Sequence, residues 1–417
     1  MSTPFGRRTA FHYRNALSMR LQEFFDLTGA PNRLLEMEGL RGIAVVLVFF
    51  VHFHEAFNGY LPPGGFSSLF SDVTFHLGHC GVDLFFVISG YLIYGALVRN
   101  NRPVRYGEFM RRRIQRIYPT YLTVLCLYVV VSFLVPHLSK LPGGLLPNLA
   151  VIAANVLLLP GVTNIIAIIV VSWSLSYELF YYLTLPLLVT WFRMPQRSVR
   201  GRMILLLVAG AAVAVYCIIW LRYGVSPPHR RMSMFLVGML VYECRNTLQL
   251  GIIFNRWAET AVVLYLGVAA WALYLLRTHS RALQGLPGSD WLLGLYDLGL
   301  VGTACGGTAL YSFAFPGVLR RVFRLSWLRG LGNMSYSYYL IHGATVNAVE
   351  LALQRTVPRT PQHPWLYWFM LPTTFSATLL SASCLYGLVE KRWSIAPPKP
   401  ANRQAVAAPA ATSAAPL

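Results

Sequence analysis

Runs of mostly apolar residues, each about as long as a bilayer is thick, recur along this chain and are separated by short basic stretches. A helix rises about 1.5 Å per residue, so crossing a hydrocarbon core of roughly 30 Å takes about 20 residues. Ten runs meet or approach that length: 40–57, 81–98, 117–135, 173–192, 203–221, 232–244, 258–276, 292–315, 333–353 and 365–389. Lipid offers backbone groups no hydrogen-bond partner, so such runs must satisfy themselves as helices. The pattern predicts an all-α polytopic membrane protein of about ten transmembrane helices. A further stretch, 145–171, is broken by Pro147, Pro160 and Gly161 and reads as a re-entrant or surface piece. Only 12% of residues are charged and 56% are apolar, against about 25% and 45–50% in a soluble domain. That excludes a disordered chain, a disulfide scaffold and an ordinary soluble enzyme. The six scattered cysteines show no metal-type spacing, and no metal site is expected.

The formal charge of +20 would suggest nucleic acid in a soluble protein. Here it is first a topology signal. With the N-terminus cytoplasmic, 26 Lys and Arg fall on that side and 8 on the other, a strong positive-inside bias. Both termini are then cytoplasmic, no nucleic-acid partner is needed, and the bilayer itself is the partner of the apolar runs. The predicted organisation is a cytoplasmic arm over 1–32, a membrane domain over 33–393 and an Ala/Pro-rich cytoplasmic tail over 394–417. No cleavable signal peptide is visible, so the first span is expected to serve as its own anchor.

A charge inside a bilayer costs about 2.5–3.5 kcal/mol on insertion scales and marks a pathway or site. Arg41 and His52 share the first span, eleven residues apart. That is close to three helical turns, so both lie on one face, separated by roughly 16 Å. Glu55 falls on the same face, one turn beyond His52, where it can orient the imidazole. Counting from helix starts, Asp83, Glu178, Arg231 and Asp297 come to the outer level of His52. On the cytoplasmic side, Arg112, Arg113 and Arg116 precede the third span at i,i+3 and i,i+4 spacing. Arginine clusters set topology, but guanidinium forks also bind phosphates bidentately. The ninth span opens with Ser335 at its cytoplasmic entrance and carries a second histidine, His342, expected nearer the cytoplasm than His52.

The segments Glu38-Gly-Leu-Arg-Gly-Ile-Ala with His52, Gly81-Val-Asp-Leu-Phe-Phe-Val-Ile-Ser-Gly and Arg112-Arg-Ile-Gln-Arg-Ile-Tyr-Pro-Thr-Tyr follow one another in order. Trp173-Ser-Leu-Ser-Tyr-Glu-Leu-Phe-Tyr and Leu331-Gly-Asn-Met-Ser-Tyr-Ser-Tyr-Tyr-Leu-Ile-His complete the series. Together they resemble the acyltransferase-3 family of bacterial membrane O-acyltransferases, over about Arg33 to Glu390. The resemblance implies ten helices in the bacterial inner membrane. It also implies transfer of an acetyl or other short acyl group from cytosolic acyl-CoA to a hydroxyl of an extracytoplasmic or lipid-linked glycan. Acyl-CoA is then a donor substrate, with no permanently bound cofactor.

On that reading Arg41, Arg112, Arg113, Arg116, Ser335 and His342 serve the donor. His52 does the chemistry, as base or as transient acyl carrier, with Glu55, Asp83 and Glu178 in support. The chain departs from the family pattern at Glu390, which is followed by Lys391, Arg392 and Trp393 where an acidic-basic-Pro element is common. Two alternatives stay open at this level: a transporter or exporter of an acylated or lipid-linked substrate, and an O-acyltransferase with a non-glycan acceptor.

Overall fold

A computed structural model describes residues 22–25, 33–99, 105–163, 165–222, 230–247, 256–283, 289–361 and 363–395. Among these residues there is no strand. The helices are α1 (Leu35–Phe57), α2 (Gly65–Gly78), α3 (Cys80–Val98), α4 (Tyr106–Leu134), α5 (Leu145–Val156), α6 (Trp173–Trp191) and α7 (Val199–Arg222). Then come α8 (Ser233–Thr247), α9 (Arg256–Leu283), α10 (Ser289–Ala314), α11 (Val318–Phe323), α12 (Ser326–Asn333), α13 (Ser335–Gln354) and α14 (Pro364–Leu385). A π-helical segment, Tyr386–Ile395, continues α14.

Among the described residues six helical stretches are long and apolar enough to cross a bilayer: Leu35–Tyr60, Gly65–Val98, Tyr106–Leu134, Val199–Trp220, Glu259–Thr278 and Pro364–Ile395. The fold is therefore that of a multi-pass membrane protein, in which six helical stretches among the described residues meet this criterion. The apolar window of Gly65–Val98 is 78% buried and that of Val199–Trp220 only 11%, so α3 is central and α7 peripheral. Residues 65–78, expected to be loop, form α2, which packs against α1. The stretch 145–171 holds only the twelve-residue α5, about 18 Å long and too short to span.

Helix α1 is fixed at both ends. Phe49, Phe53 and Phe57, spaced by four, form a buried stripe. Their rings lie 5.4 and 4.7 Å apart, and they meet Phe375 and Tyr367 of α14 at 5.0 Å. Such aromatic pairs contribute about 0.5–1.5 kcal/mol each beyond burial. At the other end, buried Glu36 pairs with Arg320 at 2.6 Å, and buried Glu38 pairs with Arg33 at 2.6 Å and Arg329 at 2.9 Å. A Cβ on Gly332 would lie 1.7 Å from the Glu38 carbonyl oxygen, and one on Gly39 would lie 1.9 Å from that of Phe323. Only glycine permits this approach of α11 and α12 to α1. With one face committed to α14, Val48, Val51, His52 and Glu55 are left facing a cavity.

Buried Asn155 organises the segment after α5. Its side-chain amide donates to Val151 and Ile166 carbonyls at 2.9 Å, and its carbonyl accepts from the Ile168 amide at 3.0 Å. The folded-back loop places Val170 and Val171 on the wall of the His52 cavity.

Candidate active site

Two cavities lie along α1. The first, about 410 Å³, contains His52, Glu55, His79, Trp173, Tyr177 and Arg231 among its walls. His52 Nδ1 lies 2.9 Å from Glu55 Oε2. A carboxylate only accepts, so Nδ1 carries the proton and Nε2 is left as the basic nitrogen. Arg231 spans the same cavity, its guanidinium 5.8 Å above the Trp173 ring and 3.9 Å from buried Asp83. The ring of His342 sits 4.9 Å from that of His52. Its Nδ1 donates to the Tyr338 carbonyl at 3.0 Å, and its buried Nε2 has no hydrogen-bond partner among the described residues.

The second cavity, about 130 Å³, is lined by Arg41, Arg113, Arg116, Glu178, Tyr182, Ser335 and Tyr336, among others. Arg113 lies 5.2 Å over the rings of Phe109 and Tyr182, and Arg116 lies 5.8 Å over that of Tyr336. Glu178 accepts from the Tyr182 hydroxyl at 2.5 Å and from Ser89 at 3.4 Å. Fully buried Glu390 holds Arg116 from behind at 2.9 Å, an ion pair whose alignment falls outside hydrogen-bond geometry. Its other oxygen accepts from the Ser337 amide at 3.0 Å and hydroxyl at 2.5 Å. Arg41 and Arg113 have no carboxylate within ion-pair distance among the described residues. Half-buried cations without a paired anion are costly alone, so the arrangement suits an anionic ligand.

The profile of the acyltransferase-3 family, an acyltransferase domain, matches residues 34–387. The chain belongs to the acyltransferase-3 family. It is 29% identical to acyltransferase MdmB of Streptomyces mycarofaciens, over 74% of this chain and 78% of that protein. It is 27% identical to the exopolysaccharide production protein ExoZ of Rhizobium meliloti, over 67% and 80%. It is 24% identical to the peptidoglycan O-acetyltransferase OatA of Listeria monocytogenes, over 83% of this chain and 54% of that longer protein. No solved structure matches the chain. As an acyltransferase-3 protein it is an enzyme that transfers acyl groups, and the transporter reading falls away.

Within this acyltransferase-3 domain some sequence expectations move. Glu178 joins Arg41 in the second cavity and not His52, because it lies five residues into α6, about 7.5 Å below Trp173. Asp83 pairs with Arg231 instead of supporting His52 directly, and Glu55 alone of the two carboxylates hydrogen-bonds the imidazole. Arg112 is exposed and paired with Glu108, away from the cavity that Arg113 and Arg116 line. His342, expected to serve the donor, packs on His52 and is not among the walls of the arginine cavity: it lies seven residues, about 10 Å, along α13 from Ser335. The side chain of Asp297 lies outside the described residues, as do 1–21, 26–32 and 396–417. The π-helical turn runs to Ile395, and Ser394 bonds Thr120 at 3.0 Å, so ordered packing continues past 393. Sequence reading missed Tyr339, which lines both cavities. The 4 and 3 spacing of Ser335, Tyr339 and His342 on one helical face was the available signal.

Proposed function

We propose that this enzyme is an O-acyltransferase that moves an acetyl or other short acyl group from cytosolic acyl-CoA to a hydroxyl of an extracytoplasmic or lipid-linked glycan. The observation that carries the reading is the pair of abutting cavities along α1, an arginine-lined one at Arg41 and an imidazole-bearing one at His52. The names of ExoZ and OatA support a glycan acceptor by analogy. The bias of 26 against 8 basic residues supports ten crossings of a bacterial inner membrane with both termini cytoplasmic.

In this scheme Arg41, Arg113 and Arg116 hold the donor's phosphates, with Ser335 beside them. His52 Nε2 takes the proton of the acceptor hydroxyl as its oxygen attacks the thioester carbonyl. The tetrahedral intermediate then collapses, the carbon–sulfur bond breaks, and the CoA thiolate takes the proton from the imidazolium. Glu55 keeps Nδ1 protonated and stabilises the imidazolium, as a carboxylate does for a catalytic imidazole. Arg231, on the wall of the same cavity, is assigned to stabilise the developing negative charge on the carbonyl oxygen. Glu178 and Tyr182 position the arginines rather than the imidazole.

The test is CoA release by the purified chain in vesicles given acetyl-CoA and envelope glycans, with mass spectrometry of the glycans. The expected result is acceptor-dependent release and a glycan mass increase of one acyl group. Unchanged glycans and no release of CoA would refute the reading.

A further inference from the structure

Two residues, Val82 and Tyr339, line both cavities. Of the two, only Tyr339 is bulky and polar enough to close the passage and to be held in place. Its hydroxyl lies 2.8 Å from Ser174 Oγ and donates to the Val171 carbonyl at 3.1 Å. Ser174 belongs to the wall of the arginine cavity and Val171 to that of the His52 cavity, so the tether straddles the boundary. Ser174 is itself 3.1 Å from the same Val171 carbonyl, which closes a three-group latch. The ring has Phe85 at 5.9 Å and His342 at 6.0 Å. Along α13 it falls between Ser335 in the arginine cavity and His342 beside His52. Packing alone does not require a hydroxyl at this position, where phenylalanine fills the same volume.

We infer that Tyr339 is a latched partition between the donor and acceptor compartments, displaced when the acyl arm of the donor advances from the arginine cavity toward His52. The inference rests on the acyl-transfer reading for what passes, but the partition itself is geometric. Its chemical purpose is exclusion of water. A base at His52 in a cavity holding water would activate that water as readily as a sugar hydroxyl and hydrolyse the thioester. A closed ring between them keeps the donor intact until the acceptor is in place. Tyr339 thus acts as a positioning residue, through control of what reaches His52.

The test uses the full chain with its six native cysteines replaced and Ser89→Cys introduced, since Ser89 lines only the arginine cavity. A membrane-impermeant thiol reagent is applied to each side of sealed vesicles in turn. With Tyr339 present, the introduced thiol is expected to react from one side only. Tyr339→Ala should make it reactive from both sides, at least about tenfold faster on the newly opened one, as loss of a water-excluding barrier demands. Tyr339→Phe, which keeps the ring but removes both of its tethers, and Ser174→Ala, which removes one of them, should give smaller openings in the same direction and guard against misfolding of the Tyr339→Ala variant. In parallel, hydrolysis of acetyl-CoA without acceptor should rise relative to transfer in the same order. The partition is overturned if the introduced thiol already reacts from both sides in the parent, or if its reactivity is unchanged in all three variants. Labelling that opens as expected in a protein that never turns over acetyl-CoA would leave the partition standing and remove the acyl-CoA reading instead.

Discussion

Replacing His52 by Gln separates base catalysis from packing, and the structure sets the size of the effect. Glutamine keeps much of the side chain's reach and its hydrogen-bonding capacity but has no nitrogen that takes a proton near neutral pH. Loss of a positioned general base costs about 10²–10⁴-fold in rate. The supporting carboxylate is worth less. Glu55 lies 2.9 Å from Nδ1, yet its side chain is 56% exposed, so solvent screens the pair and its contribution drops to about 1 kcal/mol or below. At about 1.4 kcal/mol per tenfold in rate, Glu55→Gln should therefore slow transfer no more than about fivefold. His342→Ala removes a ring packed against His52 without removing the base, so its loss should fall between those two, about 10–100-fold. The assay is acyl transfer from radiolabelled acetyl-CoA by purified enzyme, alongside acetyl-CoA binding and thermal unfolding. A His52→Gln enzyme retaining more than a tenth of the rate, or losing rate only in proportion to stability, would refute the base assignment.

If the arginine cavity holds the donor as proposed, Arg113→Ala and Arg116→Ala should each weaken acetyl-CoA binding by about 10–150-fold, the loss of one charge-assisted contact of about 1.5–3 kcal/mol. Arg112→Ala should leave affinity unchanged, because that side chain faces Glu108; isothermal titration distinguishes the three. Glu390→Gln should destabilise the protein by about 3 kcal/mol, the low end for breaking a buried pair, since Arg116 is one-third exposed. It should also lower acetyl-CoA affinity as Arg116 loses its anchor, read by chemical unfolding and titration together. Asn155→Leu leaves the buried Ile168 amide without its partner, costing about 1–3 kcal/mol, and releases the tie to the Ile166 carbonyl. Limited proteolysis should then cut within 157–172.

Helical periodicity alone made α1 legible in the sequence. The eleven-residue interval between Arg41 and His52, and the one-turn step to Glu55, fix a face by helical geometry, and that face is the one the cavities use. Depth read from helix starts was weaker. It assumed that all helices begin at one level, whereas α6 brings Trp173 to the His52 cavity and Glu178 to the arginine cavity. Pairing between helices was not legible. Asp83 has Arg231 and Glu390 has Arg116 across more than a hundred residues, and no local pattern announces either partner. Tyr339 was hidden for another reason. In a chain with 23 tyrosines, most near helix ends serve as interface anchors, so its helical spacing from Ser335 and His342 gains meaning only once its position between two cavities is known.

The two clamps on α1 tie the fold to the chemistry. The arginine and imidazole of the site ride on one helix, so their separation is set by its rise and not by loops. A shift of α1 along its axis by one residue, about 1.5 Å with a rotation of about 100°, would turn both groups out of their cavities together. The ion pairs of Glu36 and Glu38 resist translation, and the aromatic stripe against α14 resists rotation. Buried ion pairs are poor sources of net stability but strict about geometry, since an unpaired charge in either wrong register costs several kcal/mol. Their presence at the end of α1 that carries Arg41 is therefore better explained by register than by stability.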